Sequence, residues 1–182
     1  MSECEEDYLD TLKNAVARFY KNDYESLKAQ TYELTIAFKI AHYLSMSLID
    51  CEYQIDFEYA RMIIDGVYTH KRIHIGERHT ENIRPDIIFH KRTLLADNEA
   101  IEHNRFAVEL KIKDQAGDLQ KMRLIVNDLH YKVGYCISNL QPHSFWIYEV
   151  RPYDDKYQLH KFAWDGIDDL SEKCSIRRFR RV

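Results

Sequence analysis

Glycine and proline are scarce in this chain, 5 and 3 among 182 residues. That excludes collagen-like and Gly/Pro-rich disordered classes and leaves no linker-like stretch. Cysteine is equally sparse. Its four positions, Cys4, Cys51, Cys136 and Cys174, form no C-x-x-C pair. A disulfide framework and a cysteine-based zinc ribbon are therefore not expected, and scattered thiols of this kind read as reduced and cytoplasmic. No apolar run approaches the ~18 residues a membrane-spanning helix needs. The opening MSECEEDYLD is acidic, without the basic and apolar regions of a secretory signal. A G-x-x-x-x-G-K phosphate loop is absent, which argues against a small-nucleotide enzyme of that type.

What is present is globular material. Hydrophobic residues make up 45% of the chain and charged residues 31%. At ~150 residues per domain, the length suits one domain with a sizeable core. The 13 Tyr, 8 Phe and 2 Trp belong in that core or at its half-buried edges. Net charge is −4, so the total gives no pointer to nucleic acid, but its distribution does. Between 61 and 92, seven basic residues, including Arg72, Arg78 and Arg84, outnumber four acids and are joined by four histidines. The tail Ile176-Arg177-Arg178-Phe179-Arg180-Arg181-Val182 adds four arginines and an aromatic. Both are candidate phosphate-contacting patches, the tail with a disordered end as its alternative. His70, His74 and His79 lie in a basic stretch without cysteine, which disfavours a structural zinc site.

The first 48 residues contain no Gly or Pro and predict two helices, one over 4–20 and a second capped by Ser26. Leu34, Phe38, Ala41, Ser45 and Leu48 form a stripe flanked by Ile36, Ala37, Ile40 and Leu44, which predicts a broadly buried helix. Period two then begins at 53–59, where aromatic or aliphatic residues alternate with polar ones. Residues 65–83 read as a hairpin turn or mobile loop. Pro85 opens a short strand at Ile87-Ile88-Phe89, and 92–104 reads as a polar loop. The clearest strand covers 105–113. A helix starting at Gly117-Asp118 and stopped by Gly134 follows, and then strands at 134–138, 144–150 and 157–163. The order ααβββαβββ predicts an α/β fold with a central mixed sheet flanked by helices. The helical crossover between 105–113 and 134–138 requires at least one parallel strand pair.

Chemistry concentrates in Arg84-Pro85-Asp86-Ile87-Ile88-Phe89-His90 and Ala107-Val108-Glu109-Leu110-Lys111. Asp86 sits at the mouth of an apolar strand. Glu109 and Lys111, two apart on a strand, share one face. The bland alternative is a turn aspartate after proline and a solvated strand face. Yet charges in the middle of a good strand are costly unless they are used. Two carboxylates from neighbouring strands make a hard oxygen site for Mg²⁺ or Mn²⁺, and a lysine beside it can orient or deprotonate water and offset phosphate charge.

These residues resemble the PD-(D/E)XK phosphodiesterase superfamily, the restriction-endonuclease-like nucleases. The match is Pro85-Asp86, then, 23 positions after Asp86, Glu109-Leu110-Lys111, each half on an apolar strand with a helix after the second. "RPDIIFH … FAVELK" looks like the spelling common in uncharacterised bacterial and phage members. The resemblance covers about 26–138 and implies the family's αβββαβ core within a single nuclease-like domain, with 139–182 as extra strands and a basic tail. It implies that Asp86, Glu109 and the Leu110 carbonyl hold the Mg²⁺ or Mn²⁺ and that Lys111 positions the water. Glu33 on the first core helix and Glu58 on the preceding strand are further candidate ligands. Glu58 shares its face with Gln54 and Asp56, which is equally the composition of a wet sheet surface. The implied activity is hydrolysis of a nucleic-acid phosphodiester, DNA before RNA, leaving 5′-phosphate products. Arg84, Lys121, Arg72 and Arg78 are candidate phosphate contacts. The Gln and Tyr four apart that mark the exonuclease lineage are missing, since Gln115 precedes Leu119 and Gln120 precedes Leu124. A homodimer or a targeting partner would suit an enzyme that cuts both strands. The alternative is a catalytically inactive domain of the same fold that binds nucleic acid or protein.

Overall fold

The computed structural model describes residues 8–28, 32–48, 52–58, 61–64, 67–75, 79–91, 103–113, 116–164 and 170–179. Helix α1 spans Tyr8–Asp23, the single turn α2 Glu25–Lys28 and α3 Glu33–Ser47. Leu12, Ala15, Val16, Phe19 and Tyr20 recur at helical spacing and are the buried stripe of α1. Ser26, expected to cap a long second helix, lies inside α2, and α3 starts after Tyr32 with no side-chain cap. The buried face of α3 is narrower than its sequence suggested. Ile36, Ala37, Ile40, Ala41 and Leu44 are covered, whereas Leu34 and Phe38 are 46% and 55% exposed. One side of α3 meets α1 and the sheet, and the other side faces outward.

Strands β1 (Gln54–Phe57), β6 (Ile87–His90), β7 (Asn104–Leu110), β8 (Val133–Gln141), β9 (Ser144–Val150), β10 (Lys156–Trp164) and β11 (Leu170–Arg178) form one sheet in that order. Every neighbouring pair is antiparallel except β7 and β8. The parallel pair is joined by α4 (Ala116–Asp128), as the expected crossover demands. Strand alternation sorts the core into two layers. Phe106, Val108 and Leu110 of β7 face α1 and α3, while Ala107 faces Met122, Ile125 and Val126 of α4.

The connecting segments refine the sequence expectation, and the tail and Gly134 depart from it. Of the two alternatives for 65–83, the hairpin holds, and it occurs twice: β2 (Arg61–Ile64) pairs antiparallel with β3 (Val67–His70), and β4 (Arg72–Ile75) with β5 (His79–Asn82). Ile73 and Ile83 anchor the second hairpin in the α4 core, a short signal hidden among histidines and charges. The basic tail enters the sheet through β11, whose register with β10 runs from Trp164↔Leu170 to Lys156↔Arg178. Edge strands are commonly charged, which is why this one reads as a tail. Residues 180–182 lie outside the described residues. Gly134 does not stop a helix: α4 ends at Asp128, and Gly134 sits in β8 beneath it. A Cβ there would collide with Met122 Sδ and Val126 Cγ2, so the missing side chain lets α4 approach the sheet. Among the described residues no helix is long and apolar enough to cross a membrane.

Candidate active site

The last paired residues of the β6–β7 ladder on this side are Ile87 and Val108. Just beyond it, the Asp86 carboxylate takes over from the ladder. Its Oδ2 accepts the Leu110 N–H at 2.7 Å, while the Asp86 carbonyl accepts the Glu58 N–H at 2.9 Å. Pro85 withholds an N–H at this strand start, and the aspartate is clamped between the ends of β1 and β7. The next amide, Lys111 N–H, points the other way and donates to Ile137 O at 2.8 Å, continuing the parallel ladder. Burial pushes the Asp86 carboxyl up. The Leu110 N–H, Lys111 and Lys121 oppose that shift, and Glu33 adds to it.

Glu109 projects from β7 on the α4 side and is 3% exposed. Desolvation, reinforced by the negative charge of Asp86, pushes its carboxyl up to about 7 against the pull of Lys121 and Lys111. Its Oε1 lies 3.2 Å from Lys121 Nζ, an ion-pair distance without hydrogen-bond alignment. Lys111, at the exit of β7, has Nζ 3.0 Å from Glu33 Oε2, and Glu33 Oε1 accepts the Ile112 N–H at 3.0 Å. The first residue of α3 thus ties both carboxylate oxygens to the end of β7. Burial alone would lower the Lys111 ammonium. The Glu33 hydrogen bond and charge, helped by Asp86 and Asp118, raise it above its ordinary value.

Glu109 and Lys111 line an open cleft with Asp118, Leu119, Cys136, Ile137, Ser138 and Tyr148, about 230 Å³ including its mouth. Most of that space is open solvent at the mouth, and the enclosed part is about the size of one water, enough for a small ion and too small for a nucleobase. Asp118 comes from the first turn of α4, and Cys136 is the β8 partner of Glu109. Neither is marked out by its local sequence. The crossover that carries α4 back over the sheet is what places them there.

The structure therefore brings Asp86, Glu109, Lys111, Glu33 and Lys121 to one end of the sheet. Glu58 is joined to Asp86 only through the backbone, and its Oε1 lies 3.1 Å from an Arg84 Nη, so these two expected site residues pair with each other. Arg72 is on β4, where its Nε donates to Asn82 Oδ1 at 3.2 Å. Arg78 lies outside the described residues.

The donor set fits a hard divalent cation. Glu109 Oε1 and Asp118 Oδ2 are buried oxygens without a hydrogen-bond partner among the described residues, in a cleft where Ser138 and Tyr148 add oxygens beside Lys111, the Cys136 thiol and the apolar Leu119 and Ile137. As the side chains stand, no three His, Cys, Asp or Glu among the described residues converge to hold an ion. Lys121 and Lys111 supply the positive charge instead. No protein-family model, curated protein or solved structure matches this chain.

Proposed function

We propose that this protein is a metal-dependent phosphodiesterase that hydrolyses nucleic acid, with DNA as the preferred substrate. One observation carries the reading. Asp86, Glu109 and Lys111, whose types and spacing resemble the PD-(D/E)XK site, meet at one end of the sheet, with Asp86 2.7 Å from the Leu110 amide and Glu109 buried in an open cleft. The element order lends support. With the two hairpins β2–β3 and β4–β5 set aside as an insertion between β1 and β6, the order α3–β1–β6–β7–α4–β8, with β7 and β8 parallel, is compatible with the αβββαβ core that the resemblance implies.

Asp86, Glu109 and the Leu110 carbonyl would hold a Mg²⁺ or Mn²⁺ ion. When bound, such an ion stabilises charge that develops on a phosphodiester under attack. Lys111 has its own task. Held by Glu33 and charged at neutral pH, it donates hydrogen bonds, so it orients water and offsets phosphate charge rather than taking a proton. Glu33 is a positioning residue that fixes the lysine against the strand end.

A second reading is an inactive domain of the same fold that binds nucleic acid or protein. It is favoured by the ion pairs Lys121–Glu109 and Lys111–Glu33, which already give two of the site's carboxylates a positive partner. Cleavage of supercoiled plasmid, linear duplex, single-stranded DNA and RNA with Mg²⁺ or Mn²⁺ separates the two. Cutting that needs the ion and is lost in Asp86→Asn supports the enzyme. Nucleic-acid binding without cutting under every condition supports the inactive domain.

A further inference from the structure

We infer that Asp118 is a third carboxylate ligand of the cation site and that Lys121 is the counter-cation which loading displaces. This inference rests on the metal-dependent reading above and names residues that the resemblance does not supply. Glu33 and Glu58, the acids that the resemblance offers, are engaged elsewhere: Glu33 with Lys111 and Ile112, Glu58 with Arg84. Asp118 instead lines the same cleft as Glu109, and its Oδ2 is buried with no hydrogen-bond partner among the described residues. The Glu109 side chain, 4% exposed, presents a second buried oxygen to that cleft, and its neighbour there is the Lys121 ammonium at 3.2 Å. The charge of Asp118 also acts on both Lys111 and Cys136, which places it within electrostatic reach of the cleft walls.

An acid in the first turn of a helix has an ordinary explanation, the favourable interaction with the helix N-terminus. That role is met by a solvated carboxylate or by one whose oxygens accept backbone N–H groups. It does not account for a buried oxygen left without a partner, an arrangement that is unfavourable unless a cation completes it. Lys121 lies three residues on, on the same face of α4. Its side chain is 36% exposed, so it reaches the cleft from the solvent side and can withdraw without opening the core. With Lys121 drawn back, Glu109 and Asp118 are free to turn toward a shared ion.

The test measures Mn²⁺ affinity by calorimetry, and melting temperature with and without Mn²⁺, for wild type, Asp118→Asn, Glu58→Gln, Asp86→Asn and Lys121→Ala. Loss of a ligand charge should weaken Mn²⁺ binding by about tenfold or more in Asp118→Asn, with Glu58→Gln close to wild type. Metal-free Asp118→Asn should melt at or above wild type, and Mn²⁺ should raise its melting temperature less. Lys121→Ala, which removes the competing cation, should bind Mn²⁺ more tightly. Asp118 is overturned as a ligand if Asp86→Asn loses Mn²⁺ while Asp118→Asn keeps it, or if Asp118→Asn lowers the melting temperature equally with and without the ion. Weaker binding in Lys121→Ala overturns the displacement. A wild type that takes up no Mn²⁺ overturns both this inference and the metal-dependent reading beneath it.

Discussion

Asp86 Oδ2 accepts the backbone N–H of Leu110 at 2.7 Å, so the carboxylate that heads the candidate site also closes the end of the β6–β7 ladder. Structure and chemistry are superimposed in one side chain, and substitutions can separate them. Asp86→Asn keeps an oxygen for the Leu110 amide and removes the charge. Asp86→Ala strands that amide beside a fully buried residue. Urea denaturation should show Asp86→Ala destabilised by ~1–3 kcal/mol, the cost of an orphaned buried donor, with Asp86→Asn nearer wild type. Both should lack metal-dependent cutting. An Asp86→Asn protein that cuts normally would remove Asp86 from the site.

Glu109 and Lys71 make opposite demands on pH. The Glu109 carboxyl, pushed up to about 7 by burial, binds its proton more tightly in the folded than in the unfolded state. Metal-free stability should therefore fall as pH rises from the ordinary glutamate value to about 7, by at most ~1.4 kcal/mol per pH unit, and then level off. Lys71, 4% exposed and donating to Tyr131 Oη at 2.5 Å, is pushed down to about 7 by desolvation. Its folded form sheds its proton first, so stability should rise from about pH 7 toward the ordinary lysine value. Urea midpoints across pH should lose the acid-side slope in Glu109→Gln and the alkaline-side slope in Lys71→Met. Unchanged slopes would contradict these assignments.

Gly134 is a packing requirement rather than a helix stop. Alanine there must displace Met122 Sδ and Val126 Cγ2. Gly134→Ala should cost ~1–3 kcal/mol as an overpacked core site. A Gly134→Ala/Met122→Ala double variant should recover part of it if the contact with Met122 is the cause. Equal stability of Gly134→Ala and wild type would show that the close approach of α4 is not needed.

Glu33 holds Lys111 through a half-exposed ion pair, so its contribution to stability should be small, under ~1 kcal/mol in Glu33→Gln. Its effect should fall on function. With the glutamate charge gone, the Lys111 ammonium loses its main support and titrates lower, so the alkaline limb of the cutting rate should move to lower pH. A profile identical to wild type would mean that Glu33 does not act through Lys111.

The parts legible in the sequence are those written in local pattern. The alternation Phe106, Val108, Leu110 against Ala107 and Glu109 fixes β7 and its two faces, and the flanking helix and strand require the parallel neighbour that β8 provides. Asp86 was legible because a proline and an apolar strand frame it. Asp118 was not, because its place depends on how far α4 folds back over the sheet. A hairpin within 65–83 was legible as one alternative, but its doubling was not, because the anchors Ile73 and Ile83 are short apolar signals among polar residues. β11 was obscured because an edge strand exposes nearly every side chain. Leu34 and Phe38 misled in the other direction, since helical periodicity cannot say which of two adjoining apolar stripes meets the sheet.

The most direct test of the account is the single-turnover cutting rate of supercoiled plasmid at saturating Mn²⁺, wild type against Lys111→Met. If Lys111 orients water and offsets phosphate charge, the rate should fall by ~100-fold or more with the fold and Mn²⁺ affinity retained. Equal rates in the two proteins, or no metal-dependent cutting by wild type on any nucleic acid, would contradict it.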